Sequence, residues 1–261
     1  MGMDSKRIDE LISIYRDGLL EDTIPFWTRH SVDRECGGFL TFLDRDGSVY
    51  GTDKPVWLQG RIVWVYSRLY NEVEKRAEWL EIARGGLDFL LKHCFDGDGR
   101  MFFLMTRDGT PLRMRRYVFS EVFAVMGLAE FARASGEDWA RAKAAEVFDT
   151  LICYHTTPGL LEPKEIAGTR PSKSHAMPMI LVSTSQIIRQ VDDRPIYRGH
   201  LMRSSTTSAS LSCGCSSSEW GRTGRSYQTV PKAELCSRGM RSSRRGSSWK
   251  RGDTAGTASF R

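Results

Sequence analysis

The densest group of chemically useful side chains is Trp57-Leu58-Gln59-Gly60-Arg61-x-x-Trp64, which runs on into Tyr66, Arg68 and Tyr70. Trp57, Arg61, Trp64 and Arg68 recur at three or four residues, so a helix there carries two indoles and two guanidiniums on one face. Such a face suits a sugar, because aromatic rings stack on pyranose C–H surfaces and arginine holds a carbonyl or carboxylate oxygen through a planar fork. The same spacing also describes a core aromatic stripe whose arginines reach to the rim, and periodicity alone does not separate the two.

Other candidates are sparser. Glu121, Glu162 and Glu165 could serve a glycoside hydrolase, which needs two carboxylates across a scissile bond, but no spacing places two of them so. His175 stands alone beside Met177, while His30, His93 and His155 fall at helix ends as capping or surface residues. Cys36, Cys94 and Cys153 are far apart, which suits reduced thiols. Cys213 and Cys215 form a C-x-C without a Cys or His partner at metal spacing, so no metal site is expected.

The elements that must position these groups are mostly helices. Ile8, Leu11, Ile12, Tyr15, Leu19 and Leu20 predict a helix over 5–28, with Asp4 or Ser5 as N-cap and an irregularity at Pro25. Further helical patterns cover about 55–74, 76–93, 120–135, 138–155 and 176–190. Two hairpins are expected between them, 38–43 with 49–50 and 101–105 with Leu112, each turning at Arg-Asp-Gly. The turns at Arg45 to Gly47 and Arg107 to Gly109 lie about 60 residues apart, so the chain reads as a repeat of helical pairs tipped by hairpins. Three such pairs make an arc of a toroid, and an open arc leaves apolar faces uncovered, favouring aggregation.

The chain changes character near Tyr197. From Gly199 to Arg261, Ser, Arg, Gly and Thr dominate without apolar periodicity, the composition of a disordered segment. This tail holds eleven Lys and Arg against three Asp and Glu, so of the chain's +6 net charge the remainder carries −2. The domain boundary is therefore set at 198, with 1–198 as the folded part and 199–261 as a basic tail. Read one base out of register, Ser237 to Gly252 can give PGHAIESSWFILEEG, and the tail is interpreted as an out-of-frame translation of lost helical sequence. A flexible nucleic-acid arm through Arg238, Arg241, Arg244, Arg245 and Arg251 is the rival reading, and it ranks lower. No apolar stretch is long enough to span a bilayer and the start has no signal-like run, so a cytoplasmic protein is expected.

At four ordered motifs the sequence resembles the N-acylglucosamine 2-epimerase family, known also through the renin-binding protein. These are Trp57 to Arg61 with Trp64, Leu104 to Gly109, Phe119-Ser120-Glu121-x-Phe123, and Ala176 to Met179, and coverage runs from about residue 8 to Tyr197. The resemblance implies an all-α fold, an incomplete (α/α)6 barrel with short β-hairpins at the helix-pair tips. It implies a sugar substrate whose C2 proton is moved, by epimerisation or by aldose–ketose isomerisation. Arg61 would orient and polarise the open-chain carbonyl, with Trp57, Trp64, Glu121 and His175 around the sugar and Ser120 beside Glu121 on a neighbouring inner helix.

The family's principal histidines lie in the second half of the barrel, one in a P-G-H-x-x-E motif that this chain as written lacks. The chain is therefore expected to be inactive in proton transfer, which requires a base and a returning acid. No cofactor is implied, ATP is an effector of some relatives, and the full-length form would allow a homodimer.

Overall fold

The structure, a computed structural model, describes residues 4–114, 117–157, 159–161 and 176–199. Residues 200–261 of the tail, with its C-x-C, and His175, Glu162 and Glu165 lie outside the described residues.

Asp4 caps the first helix, its carboxylate accepting from Lys6 N–H at 3.4 Å. The expected helix over 5–28 is one continuous run in three registers. α1 (Ser5–Ile12) passes into a π-helical segment, Ser13–Thr23, and then into α2 (Ile24–His30), which has Pro25 in its first turn. Ile24 N–H still bonds back to Leu19 C=O, but Pro25 has no N–H to donate, so the continuous run loses one backbone hydrogen bond where the π segment meets α2. No residue of α1 or of the π segment is buried, and Ile8, Ile12, Tyr15 and Leu19 present an exposed apolar stripe.

The remaining helices fall where periodicity places them: α3 (Val56–Glu72), α4 (Ala77–His93), α5 (Phe119–Ser135), α6 (Asp138–Thr156) and α7 (Ala176–Ile188). α3 packs on α4 and α5, and α5 in turn packs on α6 and α7. An inner row of α3, α5 and α7 is thus backed by α4 and α6. α5 is at the centre, and its continuous burial from Ser120 to Ala132 explains a sequence that is apolar on every side. The architecture is the expected arc of helical pairs, open rather than closed.

Strands β1 (Phe42–Leu43) and β2 (Val49–Gly51) form the first hairpin, and β4 (Leu104–Met105) and β5 (Pro111–Arg113) the second. The sequence gives no sign of β3 (Lys54–Pro55), which pairs antiparallel with β4 through Lys54 to Met105 and Pro55 to Leu104. The second sheet is therefore three-stranded and joins one repeat to the next.

The repeat holds in atomic detail. Phe26 meets His30 with ring centroids 4.9 Å apart, and Phe89 meets His93 at 5.1 Å. Leu40 N–H bonds Ser31 C=O at 2.7 Å, as Phe102 N–H bonds Cys94 C=O at 3.0 Å. Gly47 and Gly109 have φ of +86° and +90°, and a Cβ on either would lie 2.3 Å from Nδ1 of His30 or His93 respectively. Both histidines therefore seat the Arg-Asp-Gly turns instead of capping or facing solvent. Burial pushes the imidazole pKa of His93 down, with Lys92 and Lys54 adding to the effect, and burial does the same to His155.

Cys36 and Cys94 are free thiols, and burial raises Cys94 to about 12. Among the described residues no helix is long and apolar enough to cross a membrane, and no group of His, Cys, Asp and Glu could hold a metal.

Candidate functional site

The start of α3 is fixed from three sides. Val56 N–H donates to Phe103 C=O at 3.0 Å, anchoring the first turn to the second hairpin. One turn on, the buried Gln59 carboxamide accepts from Phe39 N–H at 2.8 Å and donates to Phe39 C=O at 2.9 Å. Gly60 then lies against the α5 backbone, where a Cβ would come within 2.7 Å of Phe123 C and O. On α5, a Cβ at Gly127 would lie 2.8 Å from Gly60 O, so two glycines set the crossing.

That close crossing produces the site. Arg61 is exposed, with its guanidinium carbon 5.5 Å from the Trp57 ring centroid and 4.9 Å from that of Phe123. The two rings stand 5.8 Å apart at 46°. Arg61 has no carboxylate partner among the described residues, so its planar donor fork is open to a ligand.

The other members of the aromatic face do different work. Arg68 pairs with Glu72 at 3.9 Å and Glu130 at 3.7 Å near the far end of α3. Trp64 packs against the core, and its Nε1 is buried without an acceptor among the described residues. Tyr66 is buried, its hydroxyl 2.9 Å from Thr28 Oγ1, and burial raises its pKa. The structure therefore brings Trp57 and Arg61 together, adds Phe123, and separates them from Arg68.

Glu121, expected against the sugar, is fully buried. Its Oε1 accepts from Arg100 Nε at 2.6 Å and from Met101 N–H at 3.1 Å, while Oε2 has no partner among the described residues. Arg100 is itself buried, lying 4.1 Å over the Tyr154 ring and donating to Tyr117 C=O at 3.2 Å. Glu121 is the repeat's counterpart of Gln59, since each reaches from an inner helix to the backbone of a residue in an isolated antiparallel bridge, Phe39 with Val32 and Met101 with Phe95. A carboxamide both donates and accepts; a carboxylate only accepts, so Glu121 takes the Met101 N–H and the Arg100 Nε–H where Gln59 also returns a donor to Phe39 C=O. Ser120 donates to Phe102 C=O at 2.9 Å and likewise serves the frame.

Phe123 was legible as part of a motif but not as a site residue, because only the Gly60–Gly127 crossing puts it under Arg61.

The model of the family described as N-acylglucosamine 2-epimerase (GlcNAc 2-epimerase) matches residues 37–205. The chain belongs to this family. Similar proteins include the N-acylglucosamine 2-epimerases of Mus musculus, 38% identical over 179 residues, and Homo sapiens, 37% over 180. These alignments take in 67% of this chain but 43% and 42% of the relatives. A cellobiose 2-epimerase from Bacteroides fragilis is 31% identical over 164 residues, 59% of this chain and 41% of that one.

The chain thus spans less than half the length of the curated relatives it matches. Among solved structures, a sugar epimerase from a ruminal bacterium superposes with a TM-score of 0.66 at 24% identity, covering 74% of this chain and 53% of that one. The cellobiose 2-epimerase of Spirochaeta thermophila gives 0.66 at 22%, covering 77% and 53%. These neighbours share the fold, and the open arc is the corresponding part of their helical toroid.

Proposed function

We propose that the Trp57–Arg61–Phe123 face binds the open-chain form of an N-acylated amino sugar, with Arg61 on the carbonyl oxygen next to C2. The observation that carries this reading is an exposed guanidinium lying over two adjacent aromatic rings without a carboxylate partner among the described residues. The Trp57 ring offers stacking surface, the buried Phe123 ring backs Arg61, and the fork orients the carbonyl and withdraws charge as an enolate develops. Trp57 and Arg61 are the residues that touch the sugar in this reading. The epimerase names of the relatives point to transfer of the C2 proton as the reaction of the complete protein, a reaction of this site's chemistry without a cofactor. ATP as an effector, a homodimer of the complete form and a cytoplasmic location belong to the same proposal.

Titration with N-acetyl-D-mannosamine, followed by tryptophan fluorescence, tests the binding. Arg61→Lys should weaken it by about tenfold, because a point charge replaces a bidentate fork worth roughly 1.5 kcal/mol more. Unchanged affinity in that variant would remove Arg61 from the site.

The bases are another matter. His30 and His93 are spent on the Arg-Asp-Gly turns, and His155 ends α6. Because the sequence also lacks the P-G-H-x-x-E motif that the resemblance associates with the base, we expect the 261-residue chain to show no exchange of the C2 proton of N-acetyl-D-mannosamine in deuterated water above the buffer rate. Exchange detected by proton NMR would show that the chain carries its own base. Hydrolysis by paired carboxylates is disfavoured by the burial of Glu121 in its ion pair with Arg100.

A further inference from the structure

Three charged side chains converge beneath the first turn of α3. The Lys54 side chain is 0% exposed, and Nζ donates to Asp33 Oδ2 at 2.9 Å, Gly37 C=O at 2.6 Å and Arg107 C=O at 2.7 Å. All three ammonium protons are used, and the Phe89 ring covers the group with its centroid 4.4 Å away. The Asp33 side chain, also 0% exposed, accepts from Arg107 Nε at 2.9 Å and Nη2 at 3.0 Å, and from the N–H groups of Glu35 and Cys36 at 3.1 and 3.2 Å. Asp33 follows α2, Lys54 lies in β3 and Arg107 lies in the turn between β4 and β5. The cluster therefore joins the two repeats at the point where α3 begins.

Desolvating two full charges offsets most of what their attraction gives, so a buried ion pair is a poor source of net stability and its best-attested service is to fix a register. Here the register in question is that of β3 on β4. One residue past β3 the chain enters α3, and the next residue is Trp57. A slip or tilt of β3 moves Trp57 and Arg61 relative to Phe123, which is held separately on α5.

We propose that Asp33, Lys54 and Arg107 are positioning residues for the Trp57–Arg61–Phe123 face, a role that rests on the sugar-binding reading only for its effect on affinity. Arg107 closes the cluster from its exposed side, donating two hydrogen bonds to Asp33 and lending its carbonyl to Lys54. Arg107→Gln removes the guanidinium, leaving the carbonyl and the buried pair in place.

The test uses the 261-residue chain labelled with fluorotryptophan, its Trp57 fluorine resonance assigned by Trp57→Phe. Arg107→Gln should shift or broaden the Trp57 resonance and leave that of Trp139 in place. It should also weaken N-acetyl-D-mannosamine binding by about tenfold or more, since a misplacement of about 1 Å can cost about a hundredfold in a positioned site. Arg107→Lys, which restores one charged donor, should recover part of both effects. A variant that melts earlier but keeps the wild-type Trp57 resonance and affinity would reduce the cluster to a structural pair and overturn the proposal. Asp33→Asn provides a second reading of the same resonance. If the wild-type chain binds no N-acetyl-D-mannosamine, the sugar reading falls, and the Trp57 resonance still decides the positioning role.

Discussion

Lys54→Met is expected to lower folding stability by about 3 kcal/mol, measured as a fall in the urea midpoint at unchanged slope. Methionine fills much the same volume, so the loss is electrostatic rather than a cavity. Removing one partner of a buried pair costs about 3–5 kcal/mol because the other charge is left uncompensated. The lower end applies here because Asp33 keeps its two bonds from Arg107 and two from backbone N–H groups. The pH dependence has a definite sign. Burial by itself would raise the Asp33 carboxyl, but the hydrogen bonds from Arg107 and Lys54 outweigh it and hold the group well below the usual carboxylate range. A depressed carboxyl contributes stability above its unfolded pKa, about 3.9, and loses it only as pH falls through the folded value. The wild type should therefore exceed Lys54→Met by a constant margin from neutral pH to about 4, with the margin shrinking in stronger acid. A margin that already closes between about pH 7 and 5 would assign the linkage to another group.

The same cluster shows where sequence reading stops. α3 to α7 were legible to within a few residues because each carries a long apolar stripe, and the hairpins because Asp-Gly turns leave a strong local mark. The repeat was visible only as two similar turns. Its physical content, His30 under Gly47 and His93 under Gly109, depends on a histidine about sixteen residues before each glycine, a separation with no periodic signal. β3 escaped for a related reason: two residues containing a proline, held by a partner some fifty positions away, have no alternation to read.

In the site, Trp57 and Arg61 were recognisable from type and spacing. Glu121 was legible as a charged residue on an inner helix but not as a buried one, because its partner Arg100 sits in a loop whose path the sequence does not specify. Lys54 shows the same difficulty: its burial is made by Asp33 and Arg107, 21 and 53 residues away in the sequence, and no local pattern marks it.

Gly60→Ala should remove both stability and sugar binding, and a second glycine supplies the control. In an exposed helix interior, alanine in place of glycine stabilises by up to about 1 kcal/mol. At position 60 that gain meets the α5 backbone, with the new methyl 2.7 Å from Phe123 C and O and 2.9 Å from Ala124 N. Backbone atoms cannot rotate aside, so α3 and α5 must separate, at an overpacking cost of about 1–3 kcal/mol or more. The expected net effect is a loss of about 2 kcal/mol in a urea titration, with the backbone clash winning over propensity. Separation of the helices also draws Phe123 away from Arg61, so N-acetyl-D-mannosamine affinity should fall by about tenfold. Gly85→Ala, on the exposed side of α4 with nothing within 4 Å of the new methyl, should instead raise stability and leave affinity unchanged. If both variants gain stability, the Gly60–Gly127 crossing is looser than 2.7 Å implies, and the placement of Phe123 under Arg61 falls with it.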